Sequence, residues 1–217
     1  MKIDLVVFDL DGTLIDSHDT IYKTTLRALK EVNIEHELPE NEFNKMIGLH
    51  FEDIFEKFGF RVPDFESFIN IYKSLYFDFI GLSIMYPGVE STIDGLKEKD
   101  IKISLLTTKS QEQAEEILKH FNFHSKFDFI MGRRPGIAHK PSAEPLQFIC
   151  RNLKIDVTNT LIVGDSEMDV QCGKNAFAQT CAVTYGYRTK KELELQKPDY
   201  IIDNLEDLEE ISDYSRA

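Results

Sequence analysis

Two aspartates separated by one residue follow the first apolar stretch of the chain. Ile3–Phe8 is short, largely apolar and rich in β-branched residues, as expected of a buried strand. Asp9 and Asp11 come next, and alternate side chains of an extended chain project to the same side. Gly12 then allows the backbone to turn sharply. Taken alone, the pattern fits either a paired-carboxylate site or an ordinary Asp-Gly turn with solvated acids.

Two threonines and a lysine follow later strand-like segments. Thr107 and Thr108 come after Ile101–Leu106, and their hydroxyls with the adjacent amides could bind an anion or cap the next helix. Lys140 precedes Pro141, which fixes the backbone at this point and is expected to start the next helix. A lysine is a compact cation suited to binding phosphate or balancing carboxylates, although most lysines are solvated.

A second acid pair follows a further strand-like segment, Thr160–Val163. Gly164 permits a close turn there. Asp165 and Asp169 are four residues apart, so they can share one face of the helix that begins at this point. The alternative interpretation is helix capping by Asp165 or Ser166, with acids in the first turn favoured by the helix dipole.

The elements that would position these groups alternate between strand and helix. The predicted strands are Lys2–Phe8, Ile101–Leu106, Phe127–Met131, Thr160–Val163, Thr180–Thr184 and Tyr200–Ile202. The predicted helices of this part are Val89–Lys99, Gln111–Phe121, Ala143–Leu153, Met168–Ala176 and Leu205–Ile211. Such alternation predicts right-handed βαβ units and a parallel sheet, in which the carboxyl ends of the strands share one edge. The acid pairs, hydroxyls and lysine would therefore converge, and clustered carboxylates beside phosphate-binding groups favour Mg²⁺.

Residues 15–86 interrupt this alternation. They show helical periodicity and short loops, and their many aromatic residues are interpreted as a small core of their own. The predicted organisation is a core domain of residues 1–14 plus 87–217 and a helical subdomain of residues 15–86.

Composition restricts the possible functions. Hydrophobic residues make up 42% of the 217, which is enough for a folded core and argues against a disordered chain. The formal net charge of −13 disfavours binding to nucleic acid. The three cysteines are scattered and indicate neither a zinc site nor a disulfide framework. Asp4 and Asp9 interrupt the first apolar run, so we expect no signal peptide. No stretch of about 18 apolar residues is present, so we expect no membrane span, and a reducing cytoplasm is the expected location.

In their order along the chain, these residues resemble the four motifs of haloacid dehalogenase-superfamily phosphatases. Asp9-x-Asp11-Gly-Thr13 is similar to the first motif, Thr107 to the second, Lys140 to the third and Gly164-Asp165-x-x-x-Asp169 to the fourth. Two first-motif aspartates resemble the phosphatase and phosphomutase branch rather than the dehalogenases. The insertion resembles the C1-type cap of phosphoglycolate phosphatases, bacterial pyrophosphatases and β-phosphoglucomutases. This resemblance implies an α/β fold with a Rossmann-like parallel-sheet core and an inserted helical cap.

The resemblance also implies a role for each motif residue. Asp9 would be the nucleophile that forms an aspartyl-phosphate, and Asp11 the general acid for the leaving group and then the base for water. Lys140 would be catalytic too, because it would stabilise developing charge. The phosphate-binding residues would be Leu10, Thr107, Thr108 and Lys140. The Mg²⁺ ligands would be Asp9, Asp11 through its main-chain carbonyl, Asp165 and Asp169, the last directly, through water, or instead orienting Lys140.

The helical cap is expected to close over the site and to select the leaving group. Gly48 and His50 are its candidate specificity residues, because a turn at this place reaches the site in family members. β-Phosphoglucomutases carry an arginine there, so His50 makes a mutase less favoured without excluding it.

The expected function is Mg²⁺-dependent hydrolysis of a small-metabolite phosphomonoester, such as phosphoglycolate or a sugar phosphate. The alternatives are an inorganic pyrophosphatase or nucleotide 5′-phosphatase, then a β-phosphoglucomutase, then a non-catalytic protein that binds a phosphorylated ligand. The expected partner is a small phosphorylated metabolite, with no nucleic acid or membrane, and the protein is expected to be a monomer or homodimer.

Overall fold

The computed structural model describes residues 2–214 and divides into two compact units. One unit combines Met1–Leu14 with Met85–Ala217, and the other is Ile15–Ile84. Among the described residues, no helix combines the length and the hydropathy that a bilayer crossing requires. All three cysteines are buried and unpaired.

Strands and helices alternate through most of the larger unit, whereas the smaller unit is mainly helical. The strands are β1 (Leu5–Phe8), β2 (Ile15–Asp16), β3 (Ile84–Met85), β4 (Lys102–Ser110), β5 (Phe129–Arg133), β6 (Thr160–Gly164), β7 (Gln179–Val183) and β8 (Tyr200–Ile202). The helices are α1 (His18–Glu31), α2 (Glu40–Asn44), α3 (Phe51–Lys57), α4 (Phe65–Tyr76), α5 (Val89–Glu98), α6 (Gln111–His120), α7 (Glu144–Leu153), α8 (Glu167–Ala176), α9 (Lys190–Leu195) and α10 (Leu208–Tyr214). Short 3-10 helices lie at Ile80–Leu82, His124–Lys126, Val157–Asn159 and Leu205–Asp207. The smaller unit contains β2 and α1 to α4.

The main sheet of the described residues has six strands in the order β5-β4-β1-β6-β7-β8. Each neighbouring pair is parallel. The chain runs outward from β1 through β4 to β5 and then returns to β6 on the other side of β1. The predicted fold class, a Rossmann-like parallel sheet with an inserted helical part, is confirmed. In such sheets ligands bind outside the carboxyl ends of the strands where the strand order reverses, which here lies beside β1.

Burial on both faces explains why the central strands consist of apolar and β-branched residues. All four residues of β1 and all five of β6 are buried. Leu5, Val7 and Ile162 pack in one cluster with apolar residues of α7 and α8. Phe8 is paired in register with Leu105 on β4 and with Val163 on β6. β4 continues beyond this level, but β1 and β6 end within one residue of it. The residues that follow them are therefore held at one edge by a rigid, buried sheet.

Three sequence-based expectations about local structure are wrong. β4 does not end at Leu106 but continues through Thr107 to Ser110, because pairing with β5 resumes at Ser110 after a register shift. Pro141 does not start a helix, since α7 begins at Glu144 with Pro145 in its first turn. Residues 15–86 are not purely helical, because two-residue strands, too short to produce a periodic pattern, lie at Ile15–Asp16 and Ile84–Met85.

The smaller unit has a core built from its aromatic side chains. The ring centroid of Phe51 lies 4.8 Å from that of Tyr72 and 5.3 Å from that of Phe68. Phe55 also packs edge-on against Phe68, with 5.2 Å between centroids. Edge-to-face contacts of this kind add to the stability gained from burial alone. The interpretation of these aromatic residues as a local core is confirmed.

Candidate active site

Asp9 occupies the first position after β1, at the carboxyl edge of the sheet. Its main-chain N–H donates to the carbonyl of Val163 at 2.9 Å, so the pairing of β1 with β6 continues to the residue that bears the carboxylate. The Asp9 side chain is almost entirely buried. The alternative of a solvated Asp-Gly turn is therefore wrong for this position.

Lys140 lies between two of the predicted acids, although it is 131 residues away from Asp9 in sequence. Its Nζ donates to Asp9 Oδ1 at 2.7 Å and to Asp169 Oδ1 at 2.5 Å. Only 2% of Lys140 is exposed, so the alternative of a solvated surface lysine is wrong. Since an unpaired buried ammonium is costly, these two contacts fix the lysine between the carboxylates.

Asp169 connects Lys140 to the start of α8. While Oδ1 accepts from Lys140, Oδ2 accepts from the main-chain N–H of Ser166 at 3.2 Å and from the Ser166 hydroxyl at 2.5 Å. Asp169 therefore caps the helix and orients Lys140 at the same time. Gly164 makes room for it, because a Cβ at residue 164 would lie 2.1 Å from Asp169 Cγ.

Asp165 is enclosed by the loop that follows β7. Its Oδ2 accepts from the main-chain N–H of Tyr187 at 2.7 Å, and only 2% of the residue is exposed. A Cβ at Gly186 would lie 2.3 Å from Asp165 Cβ, and a Cβ at Gly12 would lie 2.3 Å from Asp165 Oδ2. Gly12 also has a φ of +83°, which other residues rarely adopt. These two glycines let the backbone approach the carboxylate closely.

Burial and mutual repulsion shift the ionisation of the acid cluster. Burial raises the pKa of Asp9 to about 7, and the Asp169 and Asp11 charges add to this, although Lys140 opposes it. Burial, together with the Asp169 and Asp9 charges, holds the pKa of Asp165 well above its usual value. Burial alone would lower the pKa of Lys140, but the Asp169 and Asp9 carboxylates together raise it. Lys140 is therefore a permanent cation among carboxylates that repel one another.

The cluster fits a divalent cation. Carboxylate oxygens of Asp9, Asp165 and Asp169 all lie within 4.8 Å of one another. Hard, anionic oxygen donors at such spacing are the ligands that Mg²⁺ prefers. The four aspartates of the two acid pairs carry up to four negative charges, whereas Lys140 and Lys109 supply two positive charges. A cation of charge +2 would balance the remainder.

The Asp11 side chain makes a different contact from the other three predicted acids. Its Oδ1 lies 3.2 Å from Nζ of Lys109, and both side chains are about nine-tenths buried. The Asp9, Asp165 and Asp169 group of close carboxylates does not include it. The sequence-based prediction assigned Asp11 to the metal through its main-chain carbonyl, which this side-chain contact does not contradict.

The remaining predicted site residues fall into two groups. Thr107 is buried within β4, and its Oγ1 accepts from the main-chain N–H of Lys109 at 3.3 Å, while Thr108 is half-buried and Leu10 fully buried. Gly48 and His50 belong to the smaller unit. Gly48 has a φ of +98°, and His50 immediately precedes α3. The substrate-binding roles assigned to all of these residues stay predictions.

Sequence reasoning missed four residues that contact the predicted site or brace its edge. Lys109 pairs with Asp11, and Gly186 and Tyr187 enclose Asp165. Arg188, which is buried, donates from Nε to Glu167 Oε2 at 2.8 Å and so ties this loop to the start of α8. The position of the last three along the chain could have indicated them, because they follow the carboxyl end of β7 as Asp9 follows β1 and Asp165 follows β6.

Comparison with known proteins places the chain among close structural and sequence relatives. The family model described as haloacid dehalogenase-like hydrolase matches residues 6–183. Pyrophosphatase PpaX of Bacillus cereus (strain ATCC 10987 / NRS 248) is 32% identical over 224 residues, which cover 100% of both chains. Phosphoglycolate phosphatase of Aquifex aeolicus (strain VF5) is 31% identical over 213 residues, covering 96% of each chain.

Solved structures show the same similarity. The crystal structure of a predicted phosphoglycolate phosphatase from Haemophilus somnus 129PT superposes with a TM-score of 0.87 at 26% identity, covering 98% of this chain and 99% of that one. A predicted phosphatase from Clostridium acetobutylicum gives a TM-score of 0.85 at 26% identity, covering 97% and 98%.

Proposed function

This chain belongs to the haloacid dehalogenase-like hydrolase family, and from that premise we propose that it is a Mg²⁺-dependent phosphatase of small phosphorylated metabolites. The reaction would pass through an aspartyl-phosphate on Asp9. The observation that carries the proposal is the buried group of Asp9, Lys140, Asp165 and Asp169 at the carboxyl edge of the sheet. Its chemistry suits attack on a phosphate ester, and its residues are those that the family resemblance assigns to catalysis.

In the first step, a carboxylate oxygen of Asp9 attacks the phosphorus atom. The bond from phosphorus to the leaving-group oxygen breaks, and Asp11 gives that oxygen a proton. In the second step, Asp11 takes a proton from water, which attacks the phosphorus atom and releases inorganic phosphate with the Asp9 carboxylate restored. The same residue thus acts as acid and then as base, so the two steps together leave its protonation unchanged.

Lys140 contributes fixed positive charge to both steps. Its Nζ already contacts the nucleophilic carboxylate at 2.7 Å and is held by Asp169 on its other side. A preorganised ammonium in a site that excludes water stabilises charge that develops on phosphoryl oxygens without first having to reorient. Asp169 acts in this scheme as the residue that orients Lys140, and also as a metal ligand directly or through water.

Mg²⁺ would be held by Asp9, Asp165, Asp169 and the main-chain carbonyl of Asp11, and it would reduce repulsion between the anionic nucleophile and the anionic substrate. The main-chain amides of Leu10 and Thr108 and the side chain of Thr107 would bind phosphoryl oxygens. The raised pKa values of Asp9 and Asp165 support the need for a cation at this position, because both carboxylates ionise with difficulty in its absence.

Residues 15–86 are proposed to form a cap that selects the leaving group, with Gly48 and His50 as its specificity residues. The proposed core is residues 1–14 plus 87–217. Within the phosphatase class, phosphoglycolate-like and sugar phosphates are the favoured substrates. A cytoplasmic location, a monomeric or homodimeric state and the absence of nucleic-acid and membrane partners stay predictions.

Inorganic pyrophosphate is the second candidate substrate. The Bacillus cereus relative that matches the whole chain is named a pyrophosphatase, whereas the Aquifex aeolicus relative is named a phosphoglycolate phosphatase. Both substrates present a terminal phosphoryl group to the same nucleophile, so the acid cluster alone does not separate them.

Phosphate release with and without Mg²⁺ tests the proposal. The panel would contain phosphoglycolate, pyrophosphate, sugar phosphates and nucleoside monophosphates, with Asp9→Asn as the matched inactive variant. We expect release that chelation and the Asp9→Asn substitution both abolish. Isomerisation of a sugar phosphate without net phosphate release would indicate a mutase instead. No turnover of any substrate by folded, Mg²⁺-loaded protein would overturn the assignment as an enzyme.

A further inference from the structure

A second lysine in the site contacts the other acid of the first motif. Nζ of Lys109 lies 3.2 Å from Oδ1 of Asp11, and both side chains are about nine-tenths buried. Lysine is seldom buried unless it is paired, because removing an ammonium from water is costly. Separating the buried ammonium of Lys109 from the Asp11 carboxylate would leave both charges unpaired, so the contact restrains both side chains.

The backbone of β4 delivers Lys109 to this position. The strand continues past Leu106 with a register shift before Ser110, and Thr107 Oγ1 accepts from the main-chain N–H of Lys109 at 3.3 Å. The lysine therefore extends from a hydrogen-bonded, sheet-anchored segment rather than from a free loop. Because the Lys109 backbone is restrained, its ammonium group is held in a defined position beside Asp11.

The two lysines of the site contact different acids. Lys140 Nζ bridges Asp9 and Asp169, whereas Lys109 Nζ contacts Asp11. Lys140 therefore contacts the proposed nucleophile, Asp9, whereas the proposed acid and base, Asp11, contacts Lys109. This division of contacts points to a role for Lys109 that is separate from binding the phosphoryl group.

We propose that Lys109 is a positioning residue that holds the Asp11 carboxyl where it can exchange a proton with the leaving-group oxygen and then with water. This role rests on the proposed function, in which Asp11 is the acid and base. General acid–base catalysis contributes about 10²–10⁴ in rate, and a misplacement of about 1 Å can cost about 10². Loss of the ammonium should therefore remove about 10- to 100-fold wherever proton transfer limits the rate.

The dependence on the leaving group is the signature that distinguishes positioning from folding. An alkyl phosphate requires its leaving oxygen to be protonated, whereas 4-nitrophenyl phosphate releases a stable anion. Because kcat/KM reports steps up to formation of the aspartyl-phosphate, Lys109→Met should lower it about 10- to 100-fold for the alkyl ester. For 4-nitrophenyl phosphate the loss should stay below about threefold.

The experiment compares Lys109→Met, Lys109→Gln and Lys109→Arg with a matched control on the same strand. Lys102 pairs with Asp128 at 2.9 Å near the opposite end of β4, so Lys102→Met removes a lysine–aspartate pair of the same strand that is more exposed and lies away from the site. We expect unchanged kinetics for Lys102→Met and partial rescue by Lys109→Arg. Lys109→Gln provides a polar variant should Lys109→Met fold poorly, and thermal unfolding of each variant reports on folding.

A double-mutant cycle with Asp11→Asn identifies the residue through which Lys109 acts. If Lys109 acts through Asp11, Lys109→Met should cost less than about twofold once Asp11 is already Asn. Equal losses for both leaving groups, or full additivity in the cycle, would overturn the role of Lys109 alone. Wild-type protein that hydrolyses neither ester with Mg²⁺ would instead overturn the proposed function, and the role of Lys109 with it.

Discussion

Replacing the proposed nucleophile should stabilise this protein while it removes activity. Asp9 is buried beside two other carboxylates, and its pKa is raised from 3.8 to about 7. The change Asp9→Asn removes the charge but keeps the shape, and the amide oxygen can still accept from Lys140. Turnover requires the carboxylate, so we expect no phosphate release from the variant.

The magnitude follows from linkage between protonation and folding. Between pH 4 and 7 the folded protein binds more protons at Asp9 than the unfolded chain does, so this residue makes folding less favourable as pH rises. Above pH 7 the full penalty of ionised Asp9 corresponds to at most about 4 kcal/mol. Without divalent cation, Asp9→Asn should therefore increase the free energy of unfolding by up to this amount at pH 8. At pH 5 the gain should shrink to about 2 kcal/mol or less.

Urea unfolding in the presence of a chelator, at pH 8 and at pH 5, measures this difference. Asp78→Asn is the matched control, because Asp78 is exposed in a turn and its neutralisation should change stability by less than about 0.5 kcal/mol. Added Mg²⁺ should stabilise wild type more than Asp9→Asn, since one ligand is lost. A variant that is less stable than wild type at pH 8 without cation would refute the account of the acid cluster.

Three other predictions concern the surroundings of the nucleophile. Lys140→Met leaves buried carboxylates without their cation, so the free energy of unfolding in urea should fall by about 3–5 kcal/mol. The same change should lower kcat by at least about 10²-fold, and Lys140→Arg should have a smaller effect. An unchanged kcat would contradict the catalytic role of Lys140. Gly186→Ala places a Cβ 2.3 Å from Asp165 Cβ and should weaken Mg²⁺ binding about tenfold, as measured by calorimetry. Gly81→Ala is the control, because its Cβ meets open space and should leave the affinity unchanged. Equal Mg²⁺ affinities for wild type and Gly186→Ala would show that the loop around Gly186 can move away without disturbing Asp165. Mg²⁺ binding should release protons, because the pKa of Asp9 is about 7 and that of Asp165 is also raised. The affinity should therefore rise up to about tenfold per pH unit below pH 7 for each proton released. Calorimetry in buffers of different ionisation enthalpy measures this release, and no released proton would contradict the reasoning.

Most of the fold could be predicted from local patterns. The buried strands contain short apolar runs, the helices show their own period, and both acid pairs come at or just after the end of a strand, so the parallel sheet and its reactive edge follow from sequence alone. Two of the three errors occurred where pairing between distant strands decided the outcome, at β4 and at the two-residue strands β2 and β3. β4 continues past Leu106 because β5 pairs with Ser110, and the polar segment Thr107–Ser110 gave no apolar signal of that extension.

The sequence by itself determined which chemical groups are present and which edge of the sheet carries them, because strand and glycine signals act over a few residues. Only the tertiary structure decided which cation meets which acid. Lys140 reaches Asp9 across 131 positions, and Lys109 rather than Lys140 contacts Asp11. Tyr187 and Gly186 enclose Asp165 from a loop 22 residues further along the chain. Such pairings depend on strand order and on the free energy of burying charges together, neither of which is encoded in local spacing.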